Sequence, residues 1–493
     1  MPTHEMRQSK GLAQRTLSSI SWQMGASVVN IVVLFGRSIL LARLLPVEVF
    51  GIYAFATSIL TLTAPLTEFG MGGAFLHRAP ETQDEDEAAA VHLSLKVLFL
   101  FAWVTVIVLG ARLFTEGQER MTLVWLVVIR SLTYLTQTPR LILHRRVVHR
   151  RIALLQTLSA LFTTLFAVTL AWQGITVWAL IATDAVIMLL SMLLLYVWRP
   201  VWRPHFAWRP QVIRYYLSFG SRVLASDLLS VSLDQIDDLW TRIFLGNTPL
   251  GFYSRAFSFA TYPRSILAAP VTLVIGGTYA ELKGRRGALS QAFFRVNALL
   301  LRAGFLFSGL LFLIAPEFIR LVIGAKWMPM LDSFRLMLVF TLLHPIKATM
   351  GNMFVAVGEP TEVLKVRLLQ LLLLVLGLFL LGPTWGILGV AFAVDIMAAV
   401  GTVALLHRAY AHVDYSVKRL FAAPLLALVT ALVLAHAGAQ IQALRVSHWF
   451  TGAVKAIVFT TVYGSILLVL ERQDLTKILR QVNFLRSKGP VRS

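Results

Sequence analysis

The chain contains no cysteine. That excludes disulfide staples, thiolate metal sites and thiol catalysis. Charge is scarce as well: Asp, Glu, Lys and Arg make up 14% of the 493 residues, against roughly 25% in soluble domains. Acidic residues are the scarcer sign, 24 against 45 basic ones. Long polar loops are missing, so no soluble catalytic domain hangs between apolar runs. No GxxxxGK[ST] phosphate cradle occurs, and the 11 histidines lack metal-ligand spacing, which argues against an ATPase or a metalloenzyme. The chain reads as a non-enzyme with no cofactor.

Apolar sequence dominates instead. Hydrophobic residues make up 57% of the chain. Runs of the ~20 residues that cross a bilayer recur near 17–36, 48–75, 89–112, 121–143, 152–172, 175–197, 214–245, 250–280, 290–314, 330–357, 364–382, 385–407, 418–436 and 449–470. The expected fold is an all-α polytopic membrane protein of about 14 transmembrane helices, with both ends on one side. The polar, basic N-terminus MPTHEMRQSKGLAQR runs into the first span without a small-residue cleavage site, so the first helix reads as retained.

The cations orient this scheme. They crowd alternate loops: Arg140, Arg145, Arg146, Arg150 and Arg151 in one, Arg199, Arg203, Arg209 and Arg214 in another, and Arg472, Lys477, Arg480, Arg486, Lys488 and Arg492 in the tail. The opposite loops hold few, among them Arg37, Arg43, Arg112, Arg120, Arg320, Lys326 and Arg445. Positive loops stay inside, so both termini read as cytoplasmic. Clustering between apolar runs, and not along one polar face, argues against nucleic acid as the partner of the net charge of +21. Acidic PETQDEDEAAA (80–90) suits a helix cap, and IGAKWM suits an interfacial loop anchored by Lys326 and Trp327.

Two stretches resemble each other. Gly51-Ile52-Tyr53 in ARLLPVEVFGIYAFA aligns with Gly251-Phe252-Tyr253 in LGNTPLGFYSRAFSFA, and GITVWALIA (174–182) with GILGVAFAV (386–394). The spans involved are equivalent if six helices repeat in parallel. The expected organisation is a six-helix half over 1–200, a second over 201–410, and two extra helices with a basic tail over 411–493. WRPVWRPHFAWRP (198–210) repeats Trp-Arg-Pro three times. Trp and Arg suit the headgroup layer and Pro interrupts the helix, as a linker between halves requires. Paired halves with a site between them are the architecture of alternating-access transporters.

The seventh span carries Arg222, Asp227, Asp234, Asp237, Asp238 and Arg242, with DQIDDLW at its centre. At about 3 kcal/mol for each ionised side chain in lipid, the six would cost roughly 18 kcal/mol, so the span faces protein or a wet cavity. Asp227, Asp234 and Asp238 recur on one helical stripe with Asp237 beside it. Arg242 lies four residues after Asp238, within pairing reach. Arg255 and Arg264 enter on the eighth span, Glu68 lies in the second, and Arg37 and Arg43 end the first. Three readings stay open: the carboxylates neutralise neighbouring arginines in a buried network, some take up a coupling proton or sodium ion, or the outer end of the span is surface-exposed. Arg130, Asp184, Arg302, Arg335, Lys347, Asp395 and Lys455 lie singly in spans, where lone charges usually snorkel.

ARLLPVEVFGIYAFA (42–56), LTEFGMGGAFLHR (66–78), LSFGSRVLASDLL (217–229), LGNTPLGFYSRAFSFATYPRSIL (245–267), IGAKW (323–327) and GNMFVAVGEP (351–360), in this order and spacing, resemble the polysaccharide-biosynthesis flippases. These are the Wzx type, and the likeness is to their colanic-acid-exporter branch, within the multidrug/oligosaccharidyl-lipid/polysaccharide exporter superfamily. The likeness covers about residues 15–410. It implies a plasma-membrane flippase moving polyprenyl-diphosphate-linked oligosaccharide, with polysaccharide polymerase or assembly proteins as partners. Arg37, Arg43, Arg242, Arg255 and Arg264 would then serve as diphosphate ligands, since a guanidinium fork matches phosphate oxygens. Glu68, Asp227, Asp234, Asp237 and Asp238 would form the coupling or charge network. A multidrug-exporter relative and a membrane component of an assembly complex are the alternatives.

Overall fold

A computed structural model describes residues 30–77, 84–146, 148–442 and 448–472. The basic N-terminal segment, residues 17–29 of the first expected span, Arg78, Arg445 and the tail from 473 lie outside the described residues. No β-strand occurs among the described residues. The helices are α1 (30–44), α2 (Val47–Glu68), α3 (Met71–His77), α4 (Glu85–Phe114), α5 (Gly117–Leu135), α6 (Gln137–Arg145), α7 (His149–Trp172), α8 (Thr176–Met192), α9 (Pro210–Leu245), α10 (Asn247–Glu281), α11 (Arg286–Glu317), α12 (Leu331–Val357), α13 (Pro360–Trp385), α14 (Ile387–Ala409), α15 (Val417–Gln442) and α16 (His448–Leu470). Nine segments among the described residues are long and apolar enough to cross a membrane. The charge-bearing α9 is 36 residues long but is not one of them. The protein is a multi-pass helical membrane protein.

The helix ends depart from the expected spans for local reasons. The first helix runs on to residue 44, so Arg37 and Arg43 sit on it and not in a loop. It stops where Pro46, at φ −62° and ψ 152°, opens α2, since a proline disfavours helix in the residue before it. The apolar run 48–75 breaks at Phe69 (φ 47°) and Gly70 (φ 65°), both left-handed. A Cβ on Gly70 would stand 2.9 Å from the Gly220 backbone of α9, so the break admits that helix at close range. The run 121–143 divides at Thr136 between α5 and α6. Asp84 caps α4 by accepting the Asp86 N–H at 3.0 Å, and Glu85, Asp86 and Glu87 fill its first turn, where carboxylates complement the helix dipole.

Contacts gather the chain into two units: 1–255 with 367–394, and 256–366 with 395–493. This division by contact cuts through α10, α13 and α14, whereas the division at 200 and 410 follows internal similarity.

In the first unit, α9 crosses α2 and α3. Met71, Phe75, Tyr216 and the buried run Ala88–Val91 form a core there. The acidic turn opening α4 holds the Trp-Arg-Pro segment: Trp202 donates to Asp86, and Arg209 pairs with Glu87 at 2.5 Å. Gly51 and Gly251 make a reciprocal crossing. A Cβ on Gly51 would stand 1.9 Å from the Asn247 carbonyl oxygen, and one on Gly251 would stand 2.3 Å from that of Val47. Each glycine lets the other helix's first turn lie against its backbone.

In the second unit, α15 and α16 pack on α11 around Phe293, Leu301, Phe305, Leu420, Phe459 and Tyr463. Two charges that read as lone are paired: Lys455 meets Glu317 at 2.6 Å, and Arg302 is bidentate with Glu471. Trp327 is fully buried and is not an interface anchor; the IGAKW segment folds into a π and a 3₁₀ turn that carries it inward. Arg286, which opens α11, grips Asp414 in the α14–α15 connection through two nitrogens and donates to the Tyr410 and Ala411 carbonyls there. That contact holds the Asp414 carboxyl below its ordinary value.

Gly51→Ala and Gly251→Ala should each cost about 1–3 kcal/mol by overpacking, read as thermal unfolding in detergent. Gly36→Ala, which meets open space, should cost nothing. Asp414→Asn should lower the unfolding temperature slightly at pH 7. A depressed carboxyl stabilises above its unfolded pKa of about 3.9 and loses that contribution as pH falls through its folded value. The gap between wild type and variant should therefore close below that pH.

Candidate functional site

Helix α2 organises the polar interior of the first unit. Its sequence VEVFGIYAFATSILTLTAPLTE sets hydroxyls among apolar residues, and its successive turns meet α8, α9 and α4. Tyr53 donates to Asp184 Oδ2 on α8 at 2.5 Å. Ser58 donates to Asp238 Oδ2 on α9 at 2.9 Å. Thr63 accepts the Trp103 indole N–H of α4 at 2.8 Å. Glu68, at the helix end, accepts from Lys96, with His92 Nε2 3.9 Å away. Two aromatic rings carry cations: Arg255 lies 4.6 Å above Phe50 and Arg242 5.3 Å above Phe55, both within cation–π range.

The α9 carboxylates divide. Asp237 is buried and accepts the Tyr253 hydroxyl at 2.5 Å. Asp238 is half-buried against Ser58, while Asp227 and Asp234 are exposed. The i,i+4 pair of Arg242 with Asp238 is not formed. Arg242 instead donates to Glu119 Oε1 on α5 from Nε at 2.9 Å and Nη2 at 2.6 Å, and the Asn247 amide donates to the same oxygen at 2.6 Å. A carboxylate on a neighbouring helix presents itself to the fork better than one a turn behind on the same helix. Arg37 donates to Thr163 at 2.8 Å, and Arg43 is exposed on α1. Arg264 belongs to the second unit, whereas Arg37, Arg43, Arg242 and Arg255 belong to the first.

Arg130 and Asp184 are not lone snorkelling charges. They pair at 3.1 Å with side chains 17% and 14% exposed, and Arg130 reaches Thr61 at 3.4 Å. Glu119, Lys96 and His92 also belong to the network and were not singled out by sequence. The signal for Lys96 was present: it is a cation inside the apolar run 89–112. Glu119 had none, since it reads as a loop-end residue until α9 brings Arg242 to it. No group of three or more His, Cys, Asp or Glu side chains able to hold a metal occurs among the described residues.

This interior can neutralise charge within lipid, and it leaves Asp227 and Asp234 reachable. The fold is that of a helical membrane transporter. It superposes over 93% of its length on the whole of the lipid II flippase MurJ in an inward closed conformation, with a TM-score of 0.75 at 13% identity. It also superposes on an inward-facing MATE-family multidrug resistance transporter, with a TM-score of 0.58 at 16% identity over 80% of this chain and 98% of that one. The chain belongs to the polysaccharide biosynthesis protein family, whose profile matches residues 40–332. Among its relatives, it is 20% identical over 407 residues, 80% of each chain, to the lipopolysaccharide biosynthesis protein WzxC of Escherichia coli (strain K12). It is 25% identical over 329 residues, 64% of each chain, to the succinoglycan biosynthesis transport protein ExoT of Rhizobium meliloti (strain 1021).

Removing one partner of a buried ion pair leaves the other uncompensated and costs about 3–5 kcal/mol, while replacing both by apolar residues is often neutral. Arg130→Met and Asp184→Leu should therefore each destabilise strongly, and the double variant should recover most of the loss in a detergent unfolding series. A double variant no better than the additive sum would show that the two act separately.

Proposed function

We propose that this protein is a flippase that moves polyprenyl-diphosphate-linked oligosaccharide from the cytoplasmic to the outer leaflet of the plasma membrane, for polysaccharide biosynthesis. The observation that carries this reading is the match of nearly the whole chain to a complete lipid II flippase, in a member of the polysaccharide biosynthesis family. The transport named for the relative ExoT supports it. Multidrug export is the weaker reading: the MATE match is lower in score and covers less of the chain.

In this reading about fourteen helices cross the membrane with both termini cytoplasmic. Two six-helix halves, 1–200 and 201–410, alternate access to a shared substrate path. Arg255, Arg264, Arg37 and Arg43 neutralise the diphosphate, whose oxygens suit guanidinium forks, while Arg242, whose fork Glu119 fills, belongs to the charge network. Asp227 and Asp234, exposed on α9, are the carboxylates placed to exchange a proton or sodium ion with water. Asp237, Asp238 and Glu68 hold hydroxyl or ammonium donors and keep the charge network assembled. Polymerase or assembly proteins receive the product.

The test is flipping in proteoliposomes, with a labelled polyprenyl-diphosphate oligosaccharide placed in one leaflet and a proton or sodium gradient imposed. Wild type should flip faster with one of the gradients. Arg255→Ala and Arg264→Ala should slow flipping at least tenfold, and Asp227→Asn should abolish the gradient's effect with a smaller loss of basal rate. Wild-type rates in all three variants would remove the assigned roles. No flipping by folded wild type would remove the flippase reading.

A further inference from the structure

At one end of the first unit, α2 begins, α4 turns into α5, and α9 turns into α10. The three junctions line an open cavity of about 610 Å³, within the ~300–1,000 Å³ of ordinary small-molecule sites. We infer that this cavity binds the sugar portion of the transported lipid, as a neutral polyhydroxylated ligand, apart from any diphosphate site. The ligand's identity rests on the flippase reading; the site's chemistry does not.

The lining argues for hydroxyls and against phosphate. Arg242 is the guanidinium best placed for an anion, but Glu119 already occupies its fork. Arg120 is turned onto the chain, donating to the Thr115 carbonyl at 2.9 Å and to that of Arg112 at 3.4 Å. Arg112 remains, beside Glu48 and Glu116. None of these three side chains has a hydrogen-bond or ion-pair partner among the described residues. Arg112, Arg120 and Arg242 are balanced by Glu48, Glu116 and Glu119, so the lining has no net positive charge to draw in a diphosphate. Glu48 and Glu116 accept bidentately from neighbouring hydroxyls, as sugars present them.

One further feature fits a sugar. At the rim, Leu113 and Phe114 are 77% and 86% exposed. They offer an apolar surface to the C–H face of a pyranose ring, and polar groups around an apolar wall are the usual composition of such pockets.

The experiment is saturation-transfer NMR on the full chain in detergent. The probe is the free oligosaccharide released by mild acid from the source cell's polyprenyl-diphosphate lipids. Transfer should be seen with wild type. It should fall at least fivefold in Glu48→Gln/Glu116→Gln and in Arg112→Ala, whose exposed side chains support no other contact, and inorganic diphosphate should not compete. Absent transfer, undiminished transfer in both variants, or competition by diphosphate would overturn the inference. Leaflet exchange measured on the same preparations separates the two readings. Flipping without binding rejects the pocket alone, and binding without flipping rejects transport while the pocket stands.

Discussion

Lipid offers no partner to a charge or a hydroxyl, so the protein must supply one, and in the first unit helix α2 is where most of that supply is arranged. Its hydroxyls reach α8 and α9 and accept from α4, its terminal carboxylate holds Lys96, and two of its phenylalanines lie beneath arginines. Each bond also fixes the rotation of a neighbouring helix. A hydrophobic contact between helices gains little in lipid, whereas a polar contact aims a helix face. The orientation of α9, with Asp237 inward and Asp227 outward, follows from where Ser58 and Tyr253 stand.

The repeated Gly-x-Tyr has a structural meaning beyond similarity of letters. Gly51 and Gly251 each admit the opening turn of the other's helix. Two residues on, Tyr53 and Tyr253 each donate at 2.5 Å to an aspartate, Asp184 and Asp237. The same three-residue unit thus does the same two jobs in both places: a bare backbone for a crossing and a phenol for a carboxylate.

The helices were legible because an apolar run of bilayer length has few other uses, and the cap at Asp84 because an acidic run before such a helix has a local job. Their interruptions were not. Phe69 and Gly70 sit in a run that stays apolar, and only the backbone of Gly220, far along the chain, requires the break. The charged residues of α9 were visible as charges, but their partners were not. Sequence offers Arg242 the nearby Asp238; the fold offers it Glu119, 123 residues away. Arg130 and Asp184, each unaccompanied in its own span, become a pair across 54 residues. Composition reveals that a buried charge needs a partner, and topology decides which.

The bond between Ser58 and Asp238 spans 180 residues. At about 5–20 residues synthesised per second, Ser58 leaves the ribosome roughly 10–40 s before its acceptor does. Throughout that interval α2 is a membrane segment with an unmet hydroxyl on the face that will later meet α9, and with a glycine at the crossing that gives lipid nothing to grip. The growing protein therefore passes through a stage in which α2 already has its partners on α4 and α8 but not yet the one on α9. The arrival of α9 and the first turn of α10 ends that stage.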